Sequence, residues 1–325
     1  MCAKMDRTRR ISAEAIQEAR DRINPVFLDS RQFESEGLSA AVGAHLLCKV
    51  EIENPVGSFK GRGADSFVYT LAAATRALIT ASAGNFGLAL AYAARRRGMA
   101  TTVYAAETAS AAKLDRIRSV GAEVKLRGQD FDEAKAYARD AAEAMNVMFV
   151  EDGREPAIAA GAGTMGMEMT LWPQTISSIL VPLGNGALLS GIGHWFRSRS
   201  PRTKIIGVCA EGAPAMALSW HARAVKSTQG AKTIADGIAV RVPVPEAFQD
   251  LQDVVDDVVV VSDEAIKHAL GLVYANLKLV CEPAGVVGIA ALIMYSSLAK
   301  GLVCTPITGG NATFAQLLNW TAEGK

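Results

Sequence analysis

Ile179-Leu180-Val181-Pro182-Leu183-Gly184-Asn185-Gly186-Ala187-Leu188 reads as an apolar strand that runs into glycine and resumes as a helix near Ala187. In an open α/β sheet, ligands bind beyond the carboxyl ends of strands, against helix N-termini. Glycines let backbone N–H groups turn inward and approach an anion closely. A phosphate monoester suits this loop, and so does a tight turn that binds nothing. Two further junctions have the same form. Ser82-Ala83-Gly84-Asn85-Phe86-Gly87 follows the strand-like Ala77–Thr80, and Thr308-Gly309-Gly310-Asn311 follows Val303–Thr308. Ser82 and its neighbouring N–H groups can hold a carboxylate, the Asn85 amide can donate and accept, and the Thr308 hydroxyl can meet a ring nitrogen. Capping of a helix by these side chains accounts for the same residues.

Around these junctions, short apolar runs alternate with helical stretches. Thr102–Ala105, Glu123–Leu126, Val147–Val150, Ser178–Leu183, Ile205–Cys209 and Val258–Val261 are strand-like. Ile11–Arg22, Leu88–Arg97, Ala111–Val120, Phe131–Met145, Ala187–Arg197, Asp263–Leu277, Ala284–Leu298 and Ala312–Trp320 have helical spacing. Such alternation means βαβ units and mostly parallel sheets, an α/β fold. Breaks in the rhythm near Glu51–Asn54 and Glu151–Glu155 divide the chain. Residues 1–52 and 151–325 form a large domain, and 53–150 a smaller one carrying Lys60 and the Asn85 loop.

The chain has 325 residues, of which half are hydrophobic and 21% charged, with a net charge of +1. That composition builds a sizeable core. It gives no electrostatic case for nucleic acid or a membrane surface. No apolar run reaches the roughly 20 residues of a membrane span. Five scattered cysteines, with no CxxC pair, read as reduced, buried thiols of a cytoplasmic protein. His45, His194, His221 and His268 are isolated and lack metal-ligand spacing. There is no GxSxG elbow and no Walker A loop. Leu189 stands where the third glycine of GxGxxG belongs, which disfavours a nicotinamide enzyme.

Gly57-Ser58-Phe59-Lys60-Gly61-Arg62-Gly63 places one lysine among glycines at the start of a helix. The helix dipole favours anions there, so a lysine is electrostatically misplaced. Desolvation and cationic neighbours lower a lysine pKa, which suits imine chemistry. A phosphate-binding or solvated lysine is the plainer alternative. One such lysine together with three polar helix N-termini suits an anionic cofactor that forms an imine, pyridoxal 5′-phosphate (PLP).

In order along the chain, these segments resemble the fold-type II PLP enzymes, and within them the serine/threonine dehydratase and serine racemase branch. Asn54–Ala64 resembles the family's SFKxRGA lysine segment, and Ser82–Asn85 its asparagine loop. Val181–Leu188 resembles the VPxGGGGL phosphate cradle, and Thr233–Val240 resembles TxADGIAV. Glu155-Pro156 with Gly161–Thr164, Glu282–Gly285 and Thr308–Asn311 resemble EP…GQGT, EPxGA and SGGN. The resemblance spans roughly Ile11 to Asn311 and implies two open parallel-sheet α/β domains similar to those of tryptophan synthase β. By position, Lys60 is the catalytic lysine carrying PLP and Phe59 packs on the ring face. Asn85 meets the ring hydroxyl, and Thr308 faces the ring nitrogen. Gly184, Asn185, Gly186, Ala187 and Leu188 hold the phosphate, with Glu282 also beside the cofactor. Ser82, Ala83, Gly84, Asn85, Phe86 and Gly237 meet the substrate.

The resemblance implies an ammonia-lyase (dehydratase) that turns a β-hydroxy-α-amino acid into a 2-oxo acid and ammonia. Threonine, serine, 3-phenylserine and 3-hydroxyaspartate are the candidate substrates. β-Replacement or threonine-synthase-like chemistry, racemisation and a non-catalytic PLP-binding role are the alternatives. Ala83 stands where racemases carry a second serine, which argues against racemisation. Phe86, Leu88, Ala162, Asn185 and Ala187 depart from the family pattern and make the substrate pocket more apolar. The family's divalent-cation site begins at a glutamate matching Glu211, but its later acidic ligand falls near Ala217, so no metal is expected. A homodimer is usual in the family.

Overall fold

The computed structural model describes residues 10–322. Its strands are β1 (Gln32–Glu34), β2 (His45–Val50), β3 (Ala77–Ala81), β4 (Ala100–Ala105), β5 (Glu123–Leu126), β6 (Met148–Val150), β7 (Ile176–Pro182), β8 (Lys204–Ala210), β9 (Asp257–Val261) and β10 (Leu302–Ile307). They form a six-stranded sheet in the order β1-β2-β10-β7-β8-β9 and a four-stranded sheet in the order β5-β4-β3-β6. All neighbours are parallel except the edge pair β1–β2. Helices cover the faces, so inner strands are apolar throughout rather than alternating; every residue of β10 is buried.

Each sheet reverses its winding once. In the larger sheet β7, β8 and β9 lie successively on one side, and β10 returns to the other side of β7. In the smaller sheet β3, β4 and β5 run one way and β6 returns to the other side of β3. A crevice opens at each such switch point, beyond the carboxyl ends of the strands. In the larger sheet the crevice is widened by chemistry. β10 pairs with β7 only over Leu302–Cys304. Beyond it Pro306 has no N–H to give, and the Thr305 hydroxyl donates instead to the Leu180 carbonyl at 2.9 Å.

One expected helix is broken. Ala284–Leu298 is a 3-10 turn (Pro283–Val286), an α-helix (Val287–Met294) and a second 3-10 turn (Ser296–Leu298). The Gly285 carbonyl accepts from the Thr308 N–H at 3.3 Å and so is diverted from the helical ladder. The expected Ile11–Arg22 helix runs Ala13–Arg22, because the Ser12 hydroxyl caps it at the Ala15 N–H. Cys48, Cys209, Cys281 and Cys304 are buried and unbridged; Cys2 lies outside the described residues. Burial pushes the Cys48, Cys209 and Cys281 thiols up to about 12, which makes them poor nucleophiles.

A buried cluster of four charges joins the elements that carry the site. Arg62, on the helix Lys60–Thr70, is fully buried. Its guanidinium forks onto Glu51 at 2.8 Å through two nitrogens, and onto Glu168 at 2.6 and 2.9 Å. Lys49 of β2 donates to Glu168 at 2.5 Å and to the Ser30 carbonyl at 2.6 Å. Burial alone would raise the Glu168 carboxyl, but Arg62 and then Lys49 outweigh it and hold it down to about 2. A carboxyl with a depressed folded-state value adds stability that is complete above its ordinary value of about 4.3. That stability is lost as the pH falls toward 2. Glu168→Gln leaves buried cations short of a partner and should cost about 3–5 kcal/mol at pH 7. Urea unfolding at pH 7 and at lower pH checks this: the mutational cost should shrink as the wild type itself loses the carboxylate.

Candidate active site

The two switch points face one cavity of about 690 Å³, within the usual range for small-molecule sites. It is lined by all the site residues expected from sequence: Lys60 and Phe59, the loop Ser82–Phe86, the loop Gly184–Leu188, Gly237, Glu282 and Thr308.

At one end, the loop after β7 feeds the helix Ala187–Arg199. Ser190 is the first residue whose N–H finds an intrahelical acceptor, Gly186 O at 2.9 Å. The N–H groups of Ala187, Leu188 and Leu189 precede it and have no helical partner. Gly186, at φ +102, is left-handed backbone that a side chain would strain. This end is a cradle of amide donors for an anion.

Across from it stands the helix Lys60–Thr70, with Lys60 as its first residue. Gly57, at φ +61, turns the chain just before this helix. The Lys60 amine lies 4.7 Å from the centre of the Phe59 ring and donates to Asp152 Oδ2 at 2.5 Å.

Asn85 begins the helix after β3 and lies against Glu282. Its Nδ2 donates to Glu282 Oε2 at 2.7 Å, and its Oδ1 accepts from Asn311 Nδ2 at 2.6 Å. An amide nitrogen carries two hydrogens, so one Asn85 donor remains for a ligand. Burial pushes the Glu282 carboxyl above its usual range, against the Asn85 hydrogen bond that lowers it. Ser82 does not cap the helix; its hydroxyl accepts from the Gly84 N–H at 3.2 Å and shapes the loop. Thr308 is buried and lines the cavity.

The departures from the family pattern separate in space. Phe86, Asn185 and Ala187 line the cavity. Leu88 and Ala162 do not; both are buried in the hydrophobic core, on helix faces turned away from the cavity. They cannot make the pocket more apolar, as the sequence had suggested. Phe86 belongs to both places, packed in the core and lining the cavity. Glu211 is exposed and Ala217 buried.

Glu151 and Asp152 line the cavity without belonging to any of the motif segments. Both follow β6, at the switch point opposite Ser82. Glu151 is paired with Lys135 at 3.2 Å and Arg139 at 2.5 Å. At the mouth, Lys113 pairs with Asp236, and Arg241 pairs with Asp132 and, at 3.7 Å, with Asp130. These pairs tie the helices around β5 to the segment preceding residue 242. Asp152 stands just beyond the carboxyl end of β6, where ligands of open α/β sheets bind.

The profile of the family described as pyridoxal-phosphate dependent enzyme matches residues 25–309. An L-threonine ammonia-lyase of Geobacter sulfurreducens is 36% identical over 91% of this chain and 74% of its own length. Among solved structures, the processed form of threonine deaminase isoform 2 from Solanum lycopersicum superposes with a TM-score of 0.88 at 29% identity, covering 96% of this chain and 87% of that one. Maize serine racemase gives 0.89 at 26% identity, covering 96% and 97%.

The amide cradle should bind inorganic phosphate in the cofactor-free protein. Gly186→Ala strains the left-handed turn and should weaken that binding by about tenfold, the loss of roughly one charge-assisted hydrogen bond. Phosphate titration by isothermal calorimetry measures both.

Proposed function

The chain belongs to the pyridoxal-phosphate dependent enzymes, and from that membership we propose that it is a dehydratase (ammonia-lyase) of β-hydroxy-α-amino acids. The observation that carries this reading is the Lys60 amine inside a cavity that has an amide cradle at one end and the Asn85 loop at another. Its relatives named L-threonine ammonia-lyase support it.

The residues fit the cofactor. The cradle donors of Gly184–Leu188 suit its phosphate, the spare Asn85 hydrogen suits its ring oxygen, and the Thr308 hydroxyl suits its ring nitrogen. When bound, PLP supplies an electron sink that acidifies the Cα–H of an attached amino acid. The chain's own groups do the rest. Ser82 and the free N–H groups at the start of the Asn85 helix hold the substrate carboxylate. Lys60 Nζ takes the Cα proton as general base. Phe86 covers the substrate side chain and keeps water from it. Ala83 offers no acid or base at its position, which favours loss of the β-hydroxyl over inversion.

We also propose residues 1–52 and 151–325 as the cofactor-binding domain, 53–150 as the smaller one, and a homodimer in the cytoplasm. The four buried thiols support a reducing compartment. Among the described residues, no helix is long and apolar enough to cross a membrane.

A panel of threonine, serine, 3-phenylserine and 3-hydroxyaspartate, assayed for 2-oxo acid and ammonia, tests the reaction. Wild type should release both from at least one of them, and Lys60→Ala from none while also losing the borohydride-trapped cofactor. Trapping on another lysine would overturn the assignment.

Phe86 should favour larger or more apolar β-substituents. Each buried methylene adds about 0.8 kcal/mol, several-fold in kcat/KM. Threonine should therefore be preferred over serine, and Phe86→His should narrow that preference. Comparing kcat/KM for the two substrates in both proteins decides it.

A further inference from the structure

We propose that Asp152 is the positioning partner of Lys60, holding the amine in the cavity whenever it is free and stabilising the ammonium formed when Lys60 takes the Cα proton. This inference rests on the elimination chemistry proposed above.

Asp152 lies at the carboxyl end of β6, its side chain almost wholly buried, with Oδ2 2.5 Å from Lys60 Nζ. A buried carboxylate is costly without a cationic partner, and Lys60 is the cation it meets. The neighbouring acids are committed elsewhere: Glu151 to Lys135 and Arg139, Glu282 to Asn85, and Asp236 to Lys113. Asn185 reaches across from the cradle and donates to the same Oδ2 at 3.4 Å. Gly153, at φ +88, turns the chain directly after Asp152, and the turn packs on Asn185, 3.0 Å from its carbonyl oxygen at the position a Cβ would take. The carboxylate is therefore held by its backbone and by a side chain of the cradle. Its second oxygen, Oδ1, is buried and accepts no hydrogen bond among the described residues, so it offers another acceptor to the same ammonium.

The proton balance is closed. With cofactor and substrate bound, the Lys60 amine would be free and would rest against Asp152, as it does here. The Cα–H bond breaks and its proton goes to Nζ, giving an ammonium that faces the carboxylate. The electron pair left on Cα expels the β-hydroxyl. That group takes the proton from Nζ and departs as water, so Lys60 is neutral again. The role assigned to Asp152 is to position Lys60, not to exchange a proton with the substrate.

Two measurements test the proposal. In the holoenzyme, Asp152→Asn should lower kcat at least tenfold and leave KM and cofactor affinity within about twofold. In the cofactor-free protein, urea unfolding of Lys60→Ala, Asp152→Ala and the double variant should be non-additive. The unfolding constant of the double variant should depart at least fivefold from the product of the single effects. An unchanged kcat in Asp152→Asn, or additive unfolding, overturns the assignment. If the wild type releases no 2-oxo acid from any β-hydroxy amino acid, the proposed reaction fails. The cofactor-free cycle then decides the pairing by itself. Should Asp152→Asn not fold, Asp152→Ser is measured in its place.

Discussion

The guanidinium of Arg62 is the contact on which the site depends. It is fully buried, so it must be answered by opposite charge and filled hydrogen bonds. Glu51 comes from just beyond β2, Glu168 from the helix Pro156–Met169, and Lys49 from β2 itself. Two cations and two anions balance inside the protein, with Thr164 taking the remaining donor at 3.1 Å and the Ser30 hydroxyl, 3.2 Å from Nη2, sharing one with the carboxylates. Moving the helix Lys60–Thr70 by an ångström would break several of these bonds together. Lys60, two residues from Arg62, is thereby fixed relative to the larger sheet and the cradle on it. The geometry of Lys60 in the cavity is set by a neighbour that never enters it.

Much of the site was legible because its loops carry a local signature. Gly184–Leu188, Ser82–Phe86 and Thr308 each sit where a strand hands over to glycine or asparagine, and the sheets bring these ends together. Asp152 occupies an equivalent strand end but lacks that signature, since Glu151-Asp152-Gly153 reads as an ordinary polar turn. Leu88 and Ala162 show a different limit. Substitution at a motif position marks a change, but only the helix face decides whether it meets the cavity or the core. The break in Ala284–Leu298 depends on a carbonyl captured by Thr308, a partner over twenty residues away. The cluster at Arg62 draws on residues more than a hundred positions apart, and no periodicity reports such a meeting.

The two sheets contribute differently. The larger supplies an anion cradle and an open seam between β7 and β10, where Pro306 and Thr305 end the ladder. The smaller supplies Ser82–Phe86 from one side of its switch point and Asp152 from the other. Charge is thus sorted across the cavity. Donors without partners gather at the cradle, and the carboxylates near Lys60 and Asn85 are each matched to a neighbour.

The mouth is fastened by a different kind of contact from the Arg62 side. Arg62 and its partners are sealed from water, whereas Lys113–Asp236 and Arg241–Asp130 are partly or largely exposed. Exposed pairs of this kind contribute little and fade with salt. Buried charge therefore fixes the side that carries Lys60, while the mouth is held by pairs that solvent ions screen, so added salt acts on the second and spares the first.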